Sequence, residues 1–181
     1  MLLENDEILM QGLQEGNNAC LGKLYERYKT ILLNYFINVT QDRDAANDLL
    51  MEVFERIYKY RGGFDASRKF KPWMYQMSNN LLHDYRNKLS KHKSLENSKE
   101  EISYQQSYTF QQIDRGIILK DAMGRLSETE RKVISMYYLL EIPYSEIAQI
   151  EGVSVNSIRI RVCRALKNLN AIITNSGIKE L

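Results

Sequence analysis

The chain has 181 residues, 44% of them apolar and 27% charged, with a formal net charge of +2. This is enough for folded cores in one or two domains, and the near-neutral total leaves nucleic-acid chemistry to local charge asymmetry. No apolar run approaches the roughly 20 residues that cross a bilayer, and the N-terminus MLLENDEILMQ is acidic where a secretory leader is basic, so a cytoplasmic protein without membrane insertion is expected.

Asp6 to Gln14 reads as a short amphipathic helix, stopped by the Gly16-Asn17 pair. A longer helix follows, with Leu21, Leu24, Tyr25, Tyr28, Ile31, Leu32, Tyr35 and Phe36 at three- and four-residue steps. Its aromatics read as packing groups. Cys20 lies in this pattern and Cys163 in another far along the chain; two isolated cysteines make neither a disulfide framework nor a zinc cluster, so both are expected as free thiols.

Asp42 opens DRDAANDLLMEVFERIYKY, a periodic helix that buries Ala46, Leu49, Leu50, Val53, Phe54 and Ile57. At 100° per residue, Asp44, Asp48, Glu52 and Glu55 gather on the opposite face with Met51 among them. Such a stripe serves as a solvated face, as a pair of carboxylates sharing a divalent cation, or as a docking face for a basic partner with Met51 supplying an adaptable apolar contact.

The loop RGGFDASRKFK breaks the periodicity and carries Arg61, Arg68, Lys69 and Lys71 against Asp65 alone, with Phe64 and Phe70 interleaved. Cations that hold phosphates beside rings that stack on bases suit single-stranded nucleic acid; the plain alternative is a connection whose phenylalanines anchor it to the core. Pro72 suits the first turn of the next helix, expected to end near Leu89. That helix buries Met74, Met77, Leu81 and Tyr85 and shows Gln76, Asn79, Asn80, His83, Arg86 and Asn87, an amide-rich face able to meet base edges.

From Ser90 to Gln111 the periodicity gives way to a Ser-, Lys-, Glu- and Gln-rich stretch, read as a flexible linker. The expected architecture is all-α: a helical domain over 1–89, the linker over 90–111 and a second small domain over 112–181. In the second, Ile113, Ile117, Ile118, Ala122 and Leu126 share a helix, Ser127 and Glu130 form a capping box, and the next helix buries Val133, Ile134, Tyr137 and Tyr138.

The stretch YSEIAQIEGVSVNSIRIRVCRALKN, Tyr144 to Asn168, completes four helices. Ala148, Gly152 and Ile158 take the offsets of a helix-turn-helix, and Ser154 suits the N-cap of its second helix. That helix carries Arg159, Arg161, Arg164 and Lys167 and no acid, so it reads as a DNA-recognition helix, the plain alternative being an ordinary helix pair with a solvated basic face. Asn156, Ser157, Ile160, Arg164 and Lys167 face outward, with Arg159 and Arg161 at the edges of the buried stripe. No nucleophile paired with a base, metal constellation or phosphate loop occurs, so neither enzymatic activity nor a cofactor is expected.

The run DAANDLLMEVF, the basic loop, PWMYQMSNNLLHDYR, a polar linker and RLSETERKVISMYYLLEIPYSEIAQIEGVSVNSIRIRVCRAL, in that order, resemble an extracytoplasmic-function sigma factor of bacterial RNA polymerase. The resemblance implies that Asp44, Asp48, Met51 and Glu52 dock on the clamp of the largest catalytic subunit of core RNA polymerase. It implies that the loop and following helix melt and read the minus-ten element of promoter DNA, with Asn80 matching a base-recognition asparagine and Trp73 a packing tryptophan. The helix-turn-helix is then the reader of the minus-thirty-five element, with Arg159, Ile160 and Arg164 foremost. A stress or envelope-signal role and an anti-sigma factor are further implications. Two other functions fit parts of the pattern: an autonomous dimeric helix-turn-helix regulator, and a metal-dependent nucleic-acid enzyme using Asp44, Asp48 and Glu52.

Overall fold

The structure is a computed structural model that describes residues 5–95 and 115–175, and among these residues all regular structure is helical. The first unit comprises α1 (Asp6–Gln14), α2 (Ala19–Thr40), α3 (Arg43–Tyr60), a single 3-10 turn at Arg61–Gly63 and α4 (Phe70–Leu95). The second comprises α5 (Arg115–Arg125), α6 (Glu128–Ile134), a π-helical turn at Ser135–Leu139, α7 (Tyr144–Glu151) and α8 (Val155–Asn175). The first helix has the bounds expected from sequence. α4 continues past the expected end at Leu89 to Leu95, and the remainder of the expected linker, 96–111, lies outside the described residues.

Helix starts follow local chemistry. Asp42 accepts the amides of Asp44 and Ala45, and Asn5 accepts that of Glu7, satisfying donors that the first turn leaves without helical partners. Around α2, the apolar faces of α1, α3 and α4 close one core: Leu24, Leu32 and Phe36 meet Leu9, Leu13, Val53, Ile57, Met74 and Leu81, all essentially water-free. Burial of this kind stabilises by roughly 25 cal/mol per Å² of apolar surface. The contact between α1 and α2 is close: a Cβ on Gly12 would lie 2.7 Å from the Cys20 sulfur. Asp6 fixes the same junction by accepting from the Arg27 guanidinium and the Tyr28 hydroxyl. Burial, reinforced by Asp6, raises the Tyr28 phenol above its ordinary range.

The second unit closes on α8, whose Ile158, Val162, Ala165, Leu169 and Ile173 are buried against α5, α6 and α7. Ser127 and Glu130 form the expected capping box. Tyr138, expected inside, is 56% exposed, while Met136 and Leu140 are buried. The π turn widens the helix from Ser135 onward, and this rotates later residues off the 3.6-residue register that Val133 and Ile134 had set. Tyr137 stacks on Tyr144, with centroids 4.3 Å apart, joining the π turn to α7.

The two units touch: α6 packs on α2 and α7 on α4.

Candidate nucleic-acid interface

In the helix-turn-helix, Gly152 has φ +66°, and its amide reaches the Ala148 and Gln149 carbonyls to end α7. Glycine occupies that left-handed position without the strain a Cβ brings. Ala148 and Ile158 are buried at the crossing. Ser154 Oγ accepts the Ser157 amide at 3.2 Å and contacts the Ser157 hydroxyl at 2.9 Å, so α8 is capped as its sequence suggests. Asn156, Arg159, Ile160, Arg164 and Lys167 are exposed, whereas Ser157 is half-buried against its cap.

Arg161 departs from the group. It is half-buried, with a guanidinium nitrogen 3.9 Å from Glu151 Oε2. The other Glu151 oxygen lies 2.6 Å from Lys132 Nζ, off the direction of a well-formed hydrogen bond, so the contact is Coulombic. Glu151 on α7 thus contacts cations of both α6 and α8. Glu130 lies beside the same face: burial works to raise its carboxyl, but hydrogen bonds from the Ser127 side chain and backbone and from Asn168, with Arg164 nearby, outweigh this and hold it below its ordinary value.

The basic loop presents Arg68, Lys69 and Lys71 to solvent, with Arg68 3.4 Å from Asp65. Asp65 also accepts from the Ser67 amide and hydroxyl at 2.9 and 2.7 Å, and these bonds lower its carboxyl. Arg61 is half-buried; its guanidinium sits 4.2 Å from the Tyr58 ring and donates to the Tyr58 carbonyl at 2.6 Å. Of the two readings of Phe64, its position fits the core anchor. Its ring is 5% exposed, with centroids 5.1 Å from Trp73 and 6.2 Å from Phe70, so it anchors the loop instead of offering a stacking surface. Burying the apolar ring while the loop's cations stay hydrated is the favourable arrangement. Exposed aromatics at the loop's edge are Tyr58 and Tyr60, which sequence reading did not single out.

On α4, Gln76 donates to Asn80 at 3.3 Å, Asn80 is exposed, and exposed His83 contacts Asn87 at 3.1 Å. Asn79 and Arg86 point elsewhere. The Asn79 amide reaches the Ile150 carbonyl of α7, and Arg86 pairs with Glu128 of α6, so both face the second unit.

On α3, Asp44 and Asp48 are exposed and Met51 is 52% exposed. Glu52 is half-buried and pairs with Arg56 at 2.7 Å, which in turn lies 3.3 Å from Asp84. The stripe therefore stays acidic along its length, with Arg56 offsetting part of the charge near Glu52. Among the described residues, no three His, Cys, Asp or Glu side chains are placed to share a metal ion.

Two further residues shape this surface. Gln14 Nε2 donates to the carbonyls of Arg61 and Phe64 at 2.8 and 2.9 Å, and Glu7 Oε1 accepts the Phe70 amide at 3.1 Å. Their partners are some fifty or more positions away, and no local pattern announces them.

Residues 24–92 match the family Sigma-70 region 2, and residues 117–169 match Sigma-70, region 4. The chain is 27% identical over 162 residues to the ECF RNA polymerase sigma factor SigM of Bacillus subtilis (strain 168), covering 88% of this chain and 98% of that protein. Its fold is similar to that of CnrH, solved in complex with the cytosolic domain of CnrY: the TM-score is 0.67 at 21% identity, over 95% of this chain and 99% of the other. It is also similar to the sigma factor RpoE solved with the anti-sigma factor NepR from Bartonella quintana, with a TM-score of 0.69 at 19% identity over 83% and 96% of the two chains.

Proposed function

The chain belongs to the sigma-70 family as an extracytoplasmic-function sigma factor, which directs RNA polymerase to promoters, and from that premise we propose a division of labour among its surfaces. The unit over 1–89 docks on the clamp of core polymerase through Asp44, Asp48 and Met51, with Glu52 at the margin of the contact. Exposed carboxylates steer a basic partner, and a half-exposed methionine adds an apolar contact that adapts to its shape.

The same unit captures the melted minus-ten element. Arg68, Lys69 and Lys71 hold phosphates, Asn80 and Gln76 meet base edges, and His83 lies beside them. Asn79 and Arg86 join this face when the second unit moves away. That unit, over 112–181, places α8 in the major groove of the minus-thirty-five element. Arg159, Arg164 and Lys167 supply phosphate and base contacts there, and Ile160 supplies an apolar contact suited to a thymine methyl. Residues 90–111 join the two. The observation that carries this reading is the order of the two matched regions along one chain, each coincident with a surface of suitable chemistry.

In this role the chain is a specificity subunit and not itself an enzyme. It works in the cytoplasm at the nucleoid, and no helix among the described residues is long and apolar enough to cross a membrane. An anti-sigma factor is part of the proposal, since a fold relative was solved with one bound. Reconstituted transcription tests the reading: the chain is added to core polymerase on a genomic fragment library, and discrete start sites are expected. Initiation no different from core alone would contradict it, and equally tight site-specific binding by the isolated chain would favour an autonomous regulator.

A further inference from the structure

The basic loop has little reason to hold one shape by itself. Residues 61–70 carry three cations, Arg61, Arg68 and Lys69, against one acid, and contain two glycines and a single 3-10 turn. Like charges repel and glycines add conformational freedom, so its order must come from elsewhere. Two of its fastenings are the buried rings of Phe64 and Phe70. Arg61 is held by Tyr58 of α3 and Asp65 by Ser67, and two further fastenings belong to α1. The Gln14 amide bridges the carbonyls of Arg61 and Phe64, closing the 3-10 turn from outside. Glu7 takes the amide of Phe70, the first residue of α4, where a helix leaves donors unpaired and favours a negative charge. Both ends of the loop are therefore held by one short helix.

That helix is itself firmly seated. Leu9, Met10 and Leu13 are buried, Asp6 binds Arg27 and Tyr28 of α2, and Gly12 lies against Cys20. It also precedes the segment matched to region 2, which begins at residue 24.

We infer that α1 is a positioning element for the capture of unpaired promoter DNA, with Gln14 and Glu7 as positioning residues that fix the conformation in which the loop presents Arg68, Lys69 and Lys71. The inference rests on the promoter reading above and deepens it. Neither residue contacts DNA. Each acts by removing alternative loop shapes before the strand arrives, so that binding does not bear the cost of ordering them.

The test uses full-length chain in complex with core polymerase and a promoter fragment recovered by the transcription experiment. The probes are a fluorescent single-stranded oligonucleotide carrying the non-template strand of its melted segment, a scrambled version, and an upstream duplex. Gln14→Met and Glu7→Met keep side-chain length and remove the hydrogen bonds. Both are expected to weaken binding of the single strand about tenfold, while affinity for core and for the upstream duplex stays at the wild-type level. Glu7→Gln keeps the accepting oxygen and should restore wild-type strand binding. Retention of wild-type strand affinity by Gln14→Met would overturn the inference, as would a parallel loss of core affinity, which would mark a general folding role. Wild-type complex showing no strand preference at all would instead overturn the promoter reading itself.

Discussion

The side-chain amide of Asn79 on α4 donates to the carbonyl of Ile150 on α7 at 3.4 Å, so the face expected to read unpaired bases is in contact with the helix-turn-helix. Asn79 Oδ1 is buried there without a partner, and about two turns further along α4 Arg86 pairs with Glu128 while its Nε stays buried and unpaired. These two polar links are incompletely satisfied, as befits surfaces that separate. An ion pair this accessible is worth about 1 kcal/mol or less. Glu128→Lys, which replaces attraction by repulsion, is expected to open the free chain, read as a larger radius of gyration in small-angle scattering and as stronger binding of single-stranded DNA in the absence of core.

Lys132 and Glu151 form the most enclosed ion pair of the second unit, at 9% and 13% exposure. Removing one partner of such a pair leaves the other charge without compensation. Lys132→Met is expected to destabilise the unit by about 3 kcal/mol, moderated by Arg161, and Lys132→Met with Glu151→Leu should recover most of the loss. Urea unfolding followed by circular dichroism checks both.

The capping box at Ser127 gives a pH signature. Ser127→Ala is expected to cost about 1 kcal/mol at neutral pH. The Glu130 carboxyl is held below its ordinary value of 4.5, so its stabilising contribution is complete above that pH and disappears as pH falls through the lower folded-state value. The stability gap between wild type and Ser127→Ala should therefore narrow below about pH 4.5, measured as urea midpoints across an acid series.

Arg164 is exposed on α8, the helix that packs on α5, α6 and α7. Arg164→Ala is expected to weaken use of promoters through the upstream element and to lower the salt slope of duplex binding by about one if the contact is to phosphate. Affinity for core polymerase should not change. Salt titration of the polymerase complex on a recovered promoter measures the first, and fluorescence anisotropy with core the second.

Helices and their buried stripes were legible because burial repeats every 3.6 residues, and Asp6–Gln14 or the stripe from Ala46 to Ile57 needs nothing beyond that period. Tyr138 was not, since a π turn changes the period without any residue that signals it. The outward set on α8 was readable from charge, but Arg161 sits at the edge of the stripe and its side depended on Glu151, a residue of another helix. Phe64 was ambiguous for a related reason: the same ring stacks on a base or on Trp73, and only the packing of α4 decides. Gln14 and Glu7 lay beyond reach because their meaning comes from carbonyls and an amide brought near by the fold.

Gly12 carries a consequence for how such a chain tolerates change. With a Cβ there only 2.7 Å from the Cys20 sulfur, any side chain must displace either the thiol or the helix, and two residues later that helix carries Gln14. If α1 positions the loop as inferred above, a methyl group at Gly12 should reach promoter choice through Gln14. The close approach of the Cys20 sulfur to Gly12 leaves no room for that methyl group, and substitutions at Gly12 should surface in a genetic screen as altered promoter use before they surface as loss of the protein.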